Sequence, residues 1–353
     1  MRSSPTGTGW AVGLVLFLLF AACPALALGP HEPMGLDLAV DHLCADVVNG
    51  AQPDAARIAP LLDFVRAHAG ATQALPRYLD APGAYRGFRV EQPLQRLLRY
   101  LYNPDIPEEA LKPFSLRSSR WLDPVPDVRQ LWQDSWPPTQ TVVLRGVQED
   151  QTTPDQSTGG WYRMRLRRAL ILMPWAGGQV LIAVSVQDGP SEIGAKGYRV
   201  GPDADWAYLY SDEQGLTKTG LGWVESRIQT NVSVAAYLAE PGRPVVNGIL
   251  QWMRAGWAGL SVVKAEHVGT SLARYERELR RVLDAPALPA PEELEAECAR
   301  LRALDTAALR QLARPVILPW LASRPMDGDY LGALSKDELV AILLREKIRA
   351  VAR

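Results

Sequence analysis

The chain has few of the residues from which metal centres are built. It contains four histidines and three cysteines among 353 residues. No two of the histidines have the spacing of metal ligands; they are His31, His42, His68 and His267. The sequence therefore predicts neither a metal site nor a cofactor.

Motifs of catalysis and of phosphate binding are also missing. No serine lies in the sequence context of a nucleophile elbow, and the glycines between Gly215 and Gly222 are not followed by the Lys-Ser or Lys-Thr of a phosphate loop. No acid–base pair can be placed. We therefore predict no catalytic residue, and the sequence favours a protein that is not an enzyme.

Neither sign of charge is in excess. The chain has 38 Lys and Arg residues against 39 Asp and Glu residues, for a formal net charge of -1 at pH 7. This balance argues against a nucleic-acid partner and against a polybasic membrane-binding surface. Beyond the N-terminal residues no apolar run is long enough to span a bilayer, so the mature chain is expected to have no transmembrane helix.

The N-terminal residues 1–27 have the pattern of a secretory signal peptide. An apolar run extends from Ala11 to Ala22, and Ala25-Leu26-Ala27 forms a cleavage site of small residues. We expect a periplasmic or secreted protein of a Gram-negative bacterium, with an uncleaved anchor as an alternative. The residues before Cys23 loosely resemble a lipobox, so a lipoprotein anchored at Cys23 is a further alternative.

Cleavage at Ala27 would leave two cysteines, Cys44 and Cys298, in separate predicted helices. In an oxidising compartment they could form a disulfide that ties the two ends of the chain together. Two buried free thiols agree equally well with the sequence.

Period-two alternation predicts long strands in the middle of the chain. Trp161–Met173 and Gln179–Asp188 are separated by Gly177-Gly178, which indicates an antiparallel hairpin. Further strands are predicted over Asp205–Ser211 and Trp223–Leu238.

These strands have an apolar and a polar side. In the last of them Val232 and Val234 share one side, whereas Asn231 and Ser233 share the other. The pattern predicts a sheet with one face in the core and one face in water.

A change of period follows Pro241-Gly242. From Val245 to Val282 apolar residues recur at intervals of three and four, which predicts one helix of about 40 residues, roughly 60 Å long. We expect the apolar stripe of this helix to cover the dry face of the sheet.

Helices are also predicted on either side of the central region. The expected organisation is an N-terminal helical segment over 28–92, an α+β domain over 93–284, and a helical subdomain over 285–353 after a proline-rich linker. Pro315 and Pro319 are expected to interrupt helices in this last part, which either packs on the main domain or is mobile.

Long antiparallel strands followed by a long helix resemble the helix-grip fold of START-like lipid-transfer and polyketide-cyclase-type proteins of the SRPBCC superfamily. The resemblance covers about 94–284. It implies a curved antiparallel sheet packed on a long C-terminal helix, and between them a cavity for a lipid or another apolar molecule.

Aromatic residues are the one departure from average composition, with eleven tryptophans in the chain. Core packing accounts for many of them, and a hydrophobic-ligand pocket is the alternative. The expected ligand-binding residues are Tyr162, Arg165, Trp206, Tyr208, Trp252 and His267. Arg165 is predicted to lie on the polar face of its strand, so it would contact a ligand only if that face lines a groove. His267 could equally be a histidine at the edge of the core, hydrogen-bonded to a neighbouring residue.

Three functions are therefore considered. The first is an exported binding protein for a lipid or other hydrophobic small molecule. The second is an envelope structural or interaction protein that contacts another protein through residues 285–353, and membrane contact stays open in either case. The third is an enzyme of cyclase or hydrolase type.

Overall fold

The computed structural model describes residues 35–133, 136–154, 159–218, 222–257 and 260–352. The predicted signal peptide and Cys23 lie outside these residues. Within these ranges the peptide bonds Asp123-Pro124 and Trp136-Pro137 are cis.

Helices occur in two groups, one before and one after the strands of the central region. The first group is α1 (Leu36–Asp41), continued by a π-helix (His42–Val47), α2 (Ala55–Ala67), α3 (Leu94–Leu101) and α4 (Glu108–Leu111). The second group is α5 (Ala265–Leu283), α6 (Pro291–Ala303), α7 (Thr306–Ser323), α8 (Tyr330–Ala333) and α9 (Lys336–Val351).

Fourteen strands are seen in the described residues. They are β1 (Thr72–Tyr78), β2 (Ala81–Val90), β3 (Leu116–Trp121), β4 (Val142–Thr152), β5 (Gly160–Trp161), β6 (Arg163–Trp175), β7 (Gly178–Gln187), β8 (Ala195–Val200), β9 (Ala207–Gln214), β10 (Leu216–Lys218), β11 (Gly222–Val224), β12 (Ser226–Ala239), β13 (Val245–Trp257) and β14 (Leu260–Ser261).

A nine-stranded antiparallel sheet is the centre of the molecule. Its strand order is β1-β2-β13-β12-β7-β6-β4-β3, with β14 paired to β13. The predicted hairpin is β6–β7, and Ala176 and Gly177 turn the chain with φ of 49° and 79°. With α5 packed on this sheet, the predicted α+β fold class is confirmed.

The prediction of one helix from Val245 to Val282 is wrong in its first half. Val245–Trp257 is strand β13, which pairs with β12 on one side and with β2 on the other. A strand covered on both faces has little polar alternation, so its apolar residues can fall at helical intervals by chance. Only α5, with 19 residues, is helical.

The prediction of a dry face under α5 and a wet face in solvent is also wrong, because protein covers both faces of the sheet. The valines of β7 and β12, including Val184 and Val234, pack against α1, the π-helix and α2. Alternate residues such as Leu181 and Ala183 face α5 and the helices after it. The structure therefore has three layers, with helices on either side of the sheet.

The segment 28–92 contributes strands as well as the expected helices. β1 and β2 belong to it, with β1 at one edge of the large sheet and β2 paired with β13. Because β2 lies beside β13, helix α5, which follows β13 and β14 in the chain, packs on β1 and β2 although these strands are far away in the sequence.

The helices after α5 share the core that lies under α5. Ile317 of α7 and Leu344 of α9 are fully buried in the same cluster as Leu170 of the sheet. Pro315 and Pro319 lie inside α7 and do not interrupt it. A capping box begins α9: the backbone N–H of Glu338 donates to Ser335 Oγ at 3.3 Å, and the Glu338 side chain accepts the backbone N–H of Ser335.

The two described cysteines are buried free thiols. Cys44 lies in the core between the sheet and the N-terminal helices, and Cys298 lies in the core on the other side of the sheet. The sheet between them keeps the thiols apart, which decides between the two alternatives that the sequence left open.

Candidate functional site

A cavity of about 370 Å³ lies between the large sheet and α5. Strands β6, β7, β12 and β13 form its floor, and Ser271, Leu272 and Tyr275 of α5 form its roof. The volume is within the range of pockets that hold small organic ligands, about 300–1,000 Å³.

Small side chains in the floor leave this space open. Ala183 of β7, Ala235 of β12 and Ile249 of β13 stand side by side across the sheet. In a close-packed interior a larger side chain at either alanine would fill the gap under α5. The cavity thus follows from residue choice at the middle of two long strands.

One row of the floor is polar. Arg168 of β6 is paired with Ser185 of β7, Ser185 with Ser233 of β12, and Ser233 with Gln251 of β13. All four residues line the cavity, beside the apolar row that contains the two alanines. A molecule in the cavity would therefore meet a polar band next to an apolar surface.

Helix α5 is held on the sheet by a buried ion pair as well as by apolar packing. Glu276 pairs with Arg86 of β2, and Leu279 is fully buried in the core beneath the helix. Arg274 also lines the cavity, but it is already paired: its Nη2 lies 3.0 Å from Asp203 Oδ1 and 2.8 Å from the hydroxyl of Tyr208. Its charge is therefore satisfied by the protein.

One end of the cavity is closed by a cluster of charged and polar groups. Glu108 forms an ion pair with Lys112, and both line the cavity together with Asp150 of β4. The hydroxyl of Ser119 lies 3.0 Å from Glu108 Oε2 and 2.7 Å from Asp150 Oδ1, and Gln148 donates its amide to the same hydroxyl. Because Ser119 has a single proton, it can donate to only one of the two carboxyl groups.

The two carboxyl groups of this cluster titrate differently. Burial, together with the neighbouring charge of Glu108, raises the pKa of Asp150 to about 6. Burial also acts to raise the pKa of Glu108, but Lys112 and Arg168 lower it by more, so this pKa lies below its usual value. At neutral pH Glu108 is therefore ionised, and Asp150 is mostly ionised and takes up its proton as the pH falls through about 6.

Arg168 is the cation of the cavity that lacks a close partner. Its Nε is inaccessible and has no hydrogen-bond partner. Within the described ranges no side chain forms a hydrogen bond or an ion pair within 4.0 Å with its guanidinium. Burial lowers the pKa of Arg168, but the carboxyl groups of Asp150 and Glu108 raise it by more, so the group stays charged.

Of the six expected ligand-binding residues, Tyr162 lines the cavity, and its hydroxyl lies 3.0 Å from Ser226 Oγ. Arg165 is exposed on β6, on the side of that strand away from the cavity. His267 is exposed at the start of α5, where its Nδ1 accepts the backbone N–H of Lys264 at 3.2 Å.

The three remaining residues are in the cores. Trp206 is buried and donates its Nε1–H to Glu278 at 3.0 Å. Tyr208 borders a separate cavity of about 30 Å³, room for roughly one or two waters. Trp252 packs on the N-terminal side of the sheet and donates to Pro76 O at 2.8 Å; Gly83 leaves room for its indole, since a Cβ there would lie 2.3 Å from the ring.

Sequence reasoning missed the polar row and the charged cluster. Ser185 and Ser233 were on the side of the strands expected to face water, which is how such residues usually lie. Arg168 did give a signal, since it interrupts the otherwise apolar side of β6. An arginine on the apolar side of a strand was therefore the one feature of the sequence that indicated this site.

A second, larger cleft of about 570 Å³ opens on the other side of the charged cluster, between α4, β3 and α9. Tyr102 and Glu108 border both spaces. The walls of this cleft carry ion pairs that are already formed, among them Arg117 with Glu338 at 2.8 Å. Its polar, internally neutralised surface suits a hydrophobic ligand less well than the cavity under α5.

The described residues contain no cluster of three or more His, Cys, Asp or Glu side chains arranged to hold a metal ion. In the same part of the chain no helix has both the length and the apolar character needed to cross a membrane.

Comparison with known proteins adds little. No family model matches the chain, and no curated protein is similar to it. One solved structure that resembles it is the human StarD13 (DLC2) lipid transfer and protein localization domain, at 10% identity, over 65% of this chain and 98% of that chain, with a TM-score of 0.26. At this TM-score the likeness carries no argument about function.

Proposed function

We propose that the protein binds a hydrophobic small molecule, such as a lipid, in the cavity between the large sheet and α5. The observation that carries the proposal is the cavity of about 370 Å³ between α5 and a floor that contains alanine and serine residues. An apolar pocket with a few convergent polar groups is the usual form of a small-molecule site. Among the residues expected from the sequence, Tyr162 lines this cavity, and the proposal assigns it a contact with the ligand.

We also propose that the protein acts outside the cytoplasm. This part rests on the sequence of the N-terminal residues, in which the apolar run Ala11–Ala22 precedes Ala25-Leu26-Ala27. Sequencing the N-terminus of the protein recovered from an envelope fraction would check it, since the proposal predicts a mature chain that begins at Leu28.

Native mass spectrometry tests the binding function. The purified protein should carry a bound apolar molecule that is absent from the denatured mass. The variant Ala235→Trp, which fills the floor of the cavity, should keep its circular dichroism spectrum and lose the bound mass. A protein that never carries or takes up an apolar molecule, under gentle extraction or after incubation with total lipid, would contradict the proposal.

A further inference from the structure

We propose that the ligand of this cavity is an anionic amphiphile, with a single carboxylate-type head group held by Arg168 and an apolar tail beside the alanine row. This inference rests on the proposed function and names the chemical class of its ligand.

Arg168 is a cavity-lining cation whose guanidinium has no hydrogen-bond partner among the described residues. A buried guanidinium that forms no hydrogen bond leaves strong donors unsatisfied, which is costly in a low-dielectric site. Its Nε is sealed inside the protein, and the side chain lines the cavity. A partner for this group can therefore come from the cavity.

The other two cations that line the cavity already have carboxylate partners. Lys112 is paired with Glu108, and Arg274 is paired with Asp203. Asp150 contacts Ser119 and is not within 4.0 Å of the guanidinium of Arg168. When Asp150 is protonated, these two ion pairs and Arg168 sum to one positive charge, which a singly charged anion would neutralise.

Polar and apolar residues form adjacent rows in the floor of the cavity. Ser185 and Ser233 follow Arg168 across the sheet and could donate to the second oxygen of a carboxylate. The guanidinium fork matches the two oxygens of a carboxylate, whereas an ammonium head group would be repelled. The adjacent row, with Ala183 and Ala235, then provides the apolar surface on which an alkyl tail can lie.

A series of probes with one tail and different heads tests the inference. The protein, stripped of bound lipid, is titrated by calorimetry with dodecanoate, 1-dodecanol and dodecylammonium, each below its micellar concentration. We expect dodecanoate to bind about 30-fold more tightly than dodecanol, the factor that a charged hydrogen bond commonly contributes. Dodecylammonium should bind most weakly.

Two substitutions on the same strand localise the effect. Arg168→Met should reduce the affinity for dodecanoate to that for dodecanol and leave the affinity for dodecanol unchanged. Arg165→Met, three residues earlier and exposed on the outer side of β6, should change neither. If Arg168→Met does not fold, Arg168→Lys keeps the charge without the fork and should show an intermediate preference for dodecanoate.

The outcomes separate the two proposals. Equal affinity for the carboxylate and the alcohol, or a preference for the ammonium, would overturn the anionic ligand while leaving a hydrophobic-ligand site in place. Failure of all three probes to bind would count against the proposed function itself. A carboxylate preference that survives Arg168→Met would place the head group elsewhere.

Discussion

At Ser119 one hydroxyl proton lies between two carboxyl groups, Glu108 and Asp150. The structure divides their roles by charge, because Lys112 holds Glu108 ionised while burial and Glu108 itself raise the pKa of Asp150 to about 6. The protonation of Asp150 therefore sets whether the end of the cavity is neutral or positive.

This residue predicts a pH dependence of ligand binding. An ionised Asp150 disfavours a second anion near Arg168, so the affinity for dodecanoate should rise as pH falls from 8 to about 6. Asp150→Asn should bind dodecanoate about tenfold more tightly at pH 8, the equivalent of one pKa unit of interaction, and should lose the pH dependence.

The other groups that face Asp150 do not remove this dependence. They are Glu108, Arg168, Ser119 and Lys112, and the phenols of Tyr102, Tyr237 and Tyr275 line the same cavity. Burial raises the phenol pKa values above their ordinary value, and the pKa of Arg168 is also raised, so neither the phenols nor Arg168 changes charge between pH 6 and 8. A flat pH profile in the wild-type protein would contradict the role given to Asp150.

Glu109, next to the ionised Glu108, predicts a pH effect on stability. Burial, with Glu108 and Asp337 nearby, raises the pKa of Glu109 to about 8 from 4.5. The folded state therefore binds a proton more tightly than the unfolded state, so this contribution to stability is complete below pH 4.5 and is lost as pH rises to about 8.

Replacing Glu109 by Gln should make the protein more resistant to urea at pH 8 and change little at pH 4.5. Glu266→Gln, at an exposed position of α5, serves as the control and should have no effect at either pH. A Glu109→Gln protein that is less stable than wild type at pH 8 would show that the ionised carboxylate is needed.

Strand β13 shows why the secondary structure could be predicted only in part from the sequence. The strands β6, β7 and β12 were predictable because apolar and polar residues alternate along each of them. The second half of the predicted helix was also right: it is α5, in which Leu272, Leu279 and Val282 keep helical intervals. β13 is buried from both sides and has no such alternation. Which elements cover each face of a strand depends on contacts between distant parts of the chain, and the periodicity of the sequence does not predict these contacts.

The polar row illustrates the same limit for the site. A serine that lines a cavity and a serine that faces bulk water have the same place in a strand pattern, so Ser185 and Ser233 did not indicate a pocket. Arg168 was visible as a break in the pattern, whereas the cavity around it depends on α5, about a hundred residues away in the chain.

The layered arrangement predicts that stability and binding can be separated by element. Leu61 of α2 is fully buried on the face of the sheet away from the cavity. Leu61→Ala should reduce the free energy of unfolding by about 2–5 kcal/mol, measured by urea denaturation, and leave the affinity for dodecanoate unchanged. A tenfold loss of affinity in a folded Leu61→Ala protein would mean that the two faces are coupled.

At the scale of the whole molecule the C-terminal helices belong to the main core. Besides the shared apolar cluster, Arg99 of α3 contacts both oxygens of Glu295 at 2.8 and 2.9 Å, and the hydroxyl of Tyr100 donates to Pro289 O at 2.8 Å. Removing residues 285–353 would expose the apolar surface that these helices cover.

We therefore expect a chain truncated after Asp284 to be insoluble or to lose its cooperative thermal transition. Arg99→Met, which removes the ion pairs with Glu292 and Glu295 but keeps the helices, should lower the melting temperature by a few degrees at most. A truncated protein that melts like the full chain would instead indicate that residues 285–353 form an independent unit.

The most direct test of the account is to locate the ligand. A dodecanoate analogue with a photoreactive diazirine in its tail is bound, irradiated and mapped by peptide mass spectrometry. The account predicts adducts on cavity residues such as Ala235, Met253 and Leu272, which disappear in Ala235→Trp. Adducts confined to the exposed leucines of α7, Leu312 and Leu318, and unchanged by Ala235→Trp, would contradict it.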